Sequence, residues 1–379
     1  MDFSLTEETR MLKNNAEKFM KEKSPSSFVK NILKEEKGFS EAIWKEMADL
    51  GWLGLIYGEP YGGSGGEIFD LFVLFEEMGK AVFPSPFFCS AVFAGLLINE
   101  AGNESVKKAY LPGIIEGKKL LTIGLQNEQG LYDYQNPALE AQEAGEGSYR
   151  IKGTRLFVPY AHVADEIVVC ARLMGGSGVS GPTLFLTKSK RPGIRLTPLN
   201  TITGDKEFAV TYADFPAMQK DIIGLPGKGA VYVEKIMPKL IALKCGEMVG
   251  GLSRVVDMTV EYVKQRIQFG KPLGVLQVVQ HYCADMTTLL DTARLIAYQA
   301  AYLISAGLPC GKEVAMAKAW CSDSYKKTTQ IAHQLHGGIG FTEEHDLHLY
   351  YKHAKVSELD FGDSWAQRQK VADAMGVLM

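Results

Sequence analysis

The apolar positions along this chain change period twice. From Thr6 to about Lys118 they recur every third or fourth residue, the spacing of helices with one buried face. "LTEETRMLKNNAEKFMKE" opens with Thr6 placed as a helix cap and Glu8 and Arg10 in its first turns. "SEAIWKEMADLGWLGL" is a further helix that Gly51 stops. "YGEPYGGSGGE" breaks the pattern, and "IFDLFVLFEEMGKAV" resumes it as a strongly apolar helix. "SPFFCSAVFAGLLINEAG" and "NESVKKAYLPGIIEG" complete this helical segment.

From about Leu120 the stretches become short, β-branched and aromatic, with Gly, Asn and Pro between them. They are "LLTIGLQ", "SYRIKGTRLFVPYA", "DEIVVCARL", "GPTLFLTKS", "IRLTPLN" and "EFAVTYADFPA". "MGGSGVSGPT" reads as a flexible hairpin loop unlike a phosphate cradle. From about Gly227 the helical period returns in "AVYVEKIMPKLIALKCGEMVGGLSRVVDMTVEYVKQR" and three further long segments. Long helices with short connections predict an antiparallel bundle.

The expected class is α+β: an N-terminal helical domain over 1–118, a small antiparallel β domain over 119–226 and a C-terminal four-helix bundle over 227–379. No parallel sheet and no dinucleotide-binding βαβ unit is expected. "GGSGG" follows no strand of the right kind.

Composition narrows the function. A net charge of −3 disfavours nucleic acid and anionic membranes as main partners. No apolar run approaches the ~20 residues of a membrane span, and Met1 leads directly into an acidic, amphipathic opening. The six cysteines are scattered without a CxxC pair, as in a reducing, cytoplasmic setting. Histidines gather in "HQLHGG" and "EEHDLHLYYKH", but no HExxH occurs and no metal is expected.

Three stretches then carry a resemblance. "EPYGGSGG" (59–66), "RIQFGKPLGVLQVVQH" (266–281) and "QLHGGIGFTEEHDLHLYYKHAK" (334–355) occur in the order and domains of the acyl-CoA dehydrogenase family, which the whole chain resembles. The resemblance implies FAD as cofactor, an acyl-CoA thioester as substrate and an electron-transfer flavoprotein-type acceptor. It also implies a tetramer in which each flavin site is completed by a neighbouring subunit. Arg266 then offers a donor fork to the pyrophosphate and Phe269 a ring to the adenine, with Gln277 in the same region. Gln334, Gly337 and Gly338 bring an amide and bare backbone N–H groups to the neighbour's FAD. The family's Thr-Glu-Pro and Trp-x-Thr stretches along the flavin are replaced by "LQNEQG", with Asn127, and "RLFVPY", with Phe157 and Pro159.

The family removes an α-proton from the thioester with a carboxylate, commonly a Glu in a Tyr-Glu-Gly-Thr stretch. Here "LDFGDS" puts Asp360 on the Tyr, Phe361 on the Glu and Asp363 on the Thr. Some members carry the base in the long helix that opens the bundle. That place falls near Leu240, with Glu247 one helical face further on. Asp363 is the first candidate base, although it is also placed to cap the last helix; Glu247 is the rival, with Lys244 as a structural partner. Three readings stay open: a dehydrogenase with a displaced base for a cyclic or branched acyl group, a base-less FAD-binding subunit of a mixed oligomer, and other flavin chemistry.

Overall fold

The computed structural model describes residues 5–145, 147–174 and 181–377. Six of the loop residues in "MGGSGVSGPT", 175–180, lie outside the described residues. The helices are α1 (Glu7–Lys23), α2 (Ser26–Ile32), α3 (Glu41–Asp49), α4 (Ile68–Ala81), α5 (Gly95–Ala101) and α6 (Glu104–Ile115), then α7 (Gly229–Gln265), α8 (Gln277–Ser305), α9 (Gly311–His336), α10 (Leu347–Leu359) and α11 (Ser364–Ala374). Between them lie β1 (Leu121–Gly124), β2 (Glu140–Gly145), β3 (Ser148–Pro159), β4 (Glu166–Met174), β5 (Gly181–Lys188), β6 (Ile194–Leu199), β7 (Glu207–Met218) and β8 (Ile222–Ile223). No described helix is long and apolar enough to cross a membrane.

Packing groups these elements into two compact units. One comprises Met1–Val29, Glu67–Phe83 and Ile241–Met379; the other comprises Lys30–Gly66 and Pro84–Leu240. In the first, α9 packs against α8, α10 and α11, and α4 packs against α1 and α8. Thr6 caps α1 by accepting the Thr9 N–H at 3.1 Å. The glycines of "CGEMVGG" explain how α4 lies on α7. A Cβ at Gly250 would stand 1.9 Å from the Glu76 carbonyl oxygen, and one at Gly79 would stand 2.0 Å from that of Glu247. Without side chains the two backbones meet.

Glu76 of α4 is fully buried and still charged. Tyr298 donates to its Oε2 at 2.6 Å, Lys13 approaches the same oxygen at 3.3 Å, and Arg294 reaches Oε1 at 3.3 Å. Burial works to raise this carboxyl, but Lys13, Tyr298 and Arg294 outweigh it and hold it below the usual carboxylate range. The network joins α1, α4 and α8 where apolar contact alone would leave their rotation free.

In the second unit the strands form one sheet in the order β6-β7-β3-β2-β4-β5-β8, with β1 also on β4. Leu139, Ile151, Val169, Phe185 and Val210 are among its core residues. Here the structure corrects the expectation of a purely antiparallel domain. β1 pairs with the first half of β4 and β2 with the second half, both in parallel. The sheet is mixed because one edge of β4 is long enough to take two strands in succession. β2, "EAQEAG", was absent from the expected strands, since Ala and Glu are poor strand formers; its pairing with β3 and β4 overrides that preference.

Candidate active site

Expected site residues occur in each of the two units. In the sheet unit, Asn127 organises a tight loop: its Oδ1 accepts the N–H groups of Gln129 and Leu131, each at 3.0 Å. That leaves the side-chain amide nitrogen as its donor. Leu156 N–H donates to the Gln126 carbonyl at 3.2 Å, so β3 runs beside the same loop. The β3–β7 register shifts between Arg155 and Val158, and within this bulge Phe157 takes φ +52°. A left-handed Phe is strained, and the bulge turns its ring out, 38% exposed, above Gly130. Asn127 and Phe157, about thirty positions apart, therefore share one rim.

That rim rests on a residue the sequence reading missed. Arg155 is wholly buried, donates to the Cys170 carbonyl at 2.6 Å and pairs with Asp133. An Arg on the inward side of "GTRLFV" was the available signal.

In the helical unit, Arg266 and Phe269 occupy the connection from α7 to α8, Gln277 opens α8, and Gln334, Gly337 and Gly338 lie at the end of α9. All six are exposed, Phe269 to 86%. Tyr262, one turn before Arg266, joins the two groups: its ring stacks on His336 at 4.3 Å and its hydroxyl donates to the His336 carbonyl at 3.2 Å. A Cβ at Gly337 or Gly338 would meet nothing within 4 Å, so the backbone there lies open. Arg266, Gln277 and Gln334 make no side-chain hydrogen bond to any described residue. Unengaged donors, an open glycine pair and a bare aromatic ring fit the anionic and aromatic parts of FAD. The earlier "GGSGG" differs: Gly63 is packed 2.1 Å (as Cβ) from the Tyr57 carbonyl, a self-contained turn.

The three carboxylates near the expected base differ in their surroundings. Asp363 caps α11, its Oδ1 accepting the Ala366 N–H at 2.8 Å. Glu247 has both oxygens engaged, Oε2 with Lys244 at 2.8 Å and Oε1 with His353 at 3.0 Å. Burial works to raise the Glu247 carboxyl, but Lys244 and His353 overcome it and hold it far below the usual range. Asp360 ends α10 and lies 3.7 Å from Lys244. Burial raises its carboxyl above the ordinary value, and the positive charges of Lys244 and Lys318 only partly offset this. Between the two aspartates, Phe361 is buried at φ +58° and Gly362 follows at φ +93°. No described group of three or more His, Cys, Asp or Glu is placed to hold a metal.

Comparison with known proteins gives the family. The acyl-CoA dehydrogenase N-terminal domain model matches residues 6–118, and the C-terminal domain model matches 227–376. The chain is 30% identical to acryloyl-CoA reductase (NADH) of Anaerotignum propionicum over 98% of its own length and 95% of that protein. It is 25% identical to the caffeyl-CoA reductase–Etf complex subunit CarC of Acetobacterium woodii, covering 97% and 98% of the two chains. Butyryl-CoA dehydrogenase of Megasphaera elsdenii superposes with a TM-score of 0.90 at 26% identity, over 99% of this chain and all of that one. The chain belongs to the acyl-CoA dehydrogenase family and is an FAD-dependent oxidoreductase.

Proposed function

We propose that this chain carries out α,β-dehydrogenation of an acyl-CoA thioester with a base supplied by the 360–363 turn, and passes its electrons to an electron-transfer flavoprotein-type acceptor. The observation that carries the reading is the contrast among the carboxylates. An α-proton of a thioester is weakly acidic, so its acceptor works best as a carboxylate whose affinity for protons is raised. Asp360 has that environment. Asp363 remains the alternative within the turn, with one oxygen given to the α11 cap, and Glu247 is held as a firmly ionised partner of Lys244 and His353.

FAD, when bound, would supply the acceptor for the β-hydride, so that the α C–H pair becomes the new C=C bond and the β C–H pair leaves with the cofactor. The protein's share is to receive the proton on a carboxylate oxygen and to hold the thioester in line. Asp360 is shorter than a Glu and stands one place earlier than the family's usual base, which suits a substrate whose acidic proton lies elsewhere, as in a cyclic or branched acyl group. The relative from Acetobacterium, described as part of an Etf complex, supports the choice of acceptor.

Kinetics of three variants test the assignment. Asp360→Asn should lower turnover by ~10²–10⁴-fold with FAD content unchanged. Asp363→Asn should leave turnover and stability nearly unchanged, because an Asn oxygen caps a helix as well as an Asp oxygen does. If Asp360→Asn keeps normal turnover while Asp363→Asn or Glu247→Gln abolishes it, the base lies with the variant that fails.

A second reading has its own support. Phe361, buried where the family places its Glu, supports a base-less subunit that works beside a catalytic homologue. Such a chain would hold FAD yet leave it oxidised under every acyl-CoA until the homologue is added.

A further inference from the structure

Lys318 lies in the apolar run "VAMAKAWC" of α9 and is wholly buried. Burying an ammonium is expensive unless its protons are all taken. They are: Nζ donates to Ser322 Oγ at 3.1 Å, to the Glu358 carbonyl at 3.1 Å and to the Gly362 carbonyl at 3.2 Å. Two of these acceptors bracket Asp360 and Phe361. One of the carbonyls between them, that of Phe361, accepts from the equally buried Gln367 at 2.6 Å. A turn with two successive positive φ values thus has its carbonyls held from inside the bundle by two buried side chains. A hydrocarbon at 318 would fill the space and leave the 358 and 362 carbonyls unpaired.

We propose that Lys318 is a positioning residue for the proton-accepting step: it clamps the backbone on both sides of Asp360 and sets a fixed positive charge beside that carboxylate. The proposal rests on the reading of Asp360 as the base. Other ionisable groups face the same place. Lys244, Cys245 and Glu247 do so from α7, Cys321 from α9, His353 and Glu358 from α10, and Asp363 lies at the start of α11. Burial lowers the proton affinity of Lys318, with Asp360 and Glu358 acting the other way, and its charge in turn favours the ionised form of Asp360. Losing Lys318 therefore has two separable consequences: the turn loosens, and Asp360 protonates at higher pH.

The test uses the full-length, FAD-loaded protein with Lys318→Met. Amide hydrogen exchange over 359–363 should accelerate while α9 stays protected. The limiting rate of flavin reduction should fall roughly 10²-fold, as for a misplaced reacting group, with acyl-CoA affinity unchanged. The acidic limb of the rate's pH profile should move to higher pH. Lys318→Gln, which keeps a donor and loses the charge, should move that limb with less loosening of the turn, and it serves if the Met variant does not fold. A rate lowered equally at all pH values, or faster exchange along the whole of α9, would overturn the proposal and leave Lys318 a structural residue. Asp360→Asn is measured alongside. If that variant reduces flavin normally, the base assignment falls, and the clamp alone is then judged by exchange over 359–363.

Discussion

Glu247 sits between Lys244 and His353 with both oxygens bonded, so its charge is worth more folded than unfolded. A carboxyl held low by its neighbours contributes stability that is complete above its ordinary value of 4.5 and drains away as pH falls below it. Glu247→Gln should therefore lower stability at pH 7 by about 1–3 kcal/mol, the usual penalty for a charged partner left unmatched. The same variant should lose less than the wild type on acidification. Urea midpoints at pH 7 and pH 4 measure both; an equal acid dependence in the two proteins would remove Glu247 from this role. Half of the arrangement was legible, because Lys244 lies three positions before Glu247 on one helix. His353, on a different helix, was not, and neither was the inward Lys318, since no local spacing marks which lysine of an apolar run finds backbone carbonyls.

At the scale of elements, helix and strand periods gave most of the architecture, and the exceptions are physical. β2 has the composition of a helix and becomes a strand only because β3 and β4 offer it edges. The mixed sheet was hidden for a related reason: pairing direction depends on which edge is vacant, not on the residues of the strand. The glycines illustrate the same limit, for each of them is identical in the sequence. Gly250→Ala would drive a methyl into the Glu76 carbonyl and should cost about 1–3 kcal/mol as overpacking. Gly338→Ala meets open space, so thermal unfolding of the apoprotein should be nearly unchanged while FAD occupancy falls. Equal losses of stability in the two variants would contradict this division between a packing glycine and a cofactor-facing one.

The whole molecule presents apolar side chains where a lone chain would not need them. Phe269, Ile267, Val278, Ile339 and Phe341 are all exposed, around the donors suited to FAD. These exposed apolar side chains suit contact with another chain, and we propose that such a neighbour, a like chain or a homologue, completes the flavin site. Phe269→Ala combined with Arg266→Glu should then give smaller assemblies with little flavin by light scattering and absorbance; full flavin retention in that double variant would argue that each chain holds FAD alone. On the proposed reading this chain, by itself, oxidises an acyl-CoA with a base from its 360–363 turn. Anaerobic mixing of the purified, FAD-loaded protein with straight-chain, branched, cyclic and aromatic acyl-CoA thioesters tests it most directly. A branched or cyclic member should bleach the flavin absorbance, and Asp360→Asn should abolish that bleaching. An unbleached flavin across the whole panel, reduced only once a homologous subunit is added, would contradict it.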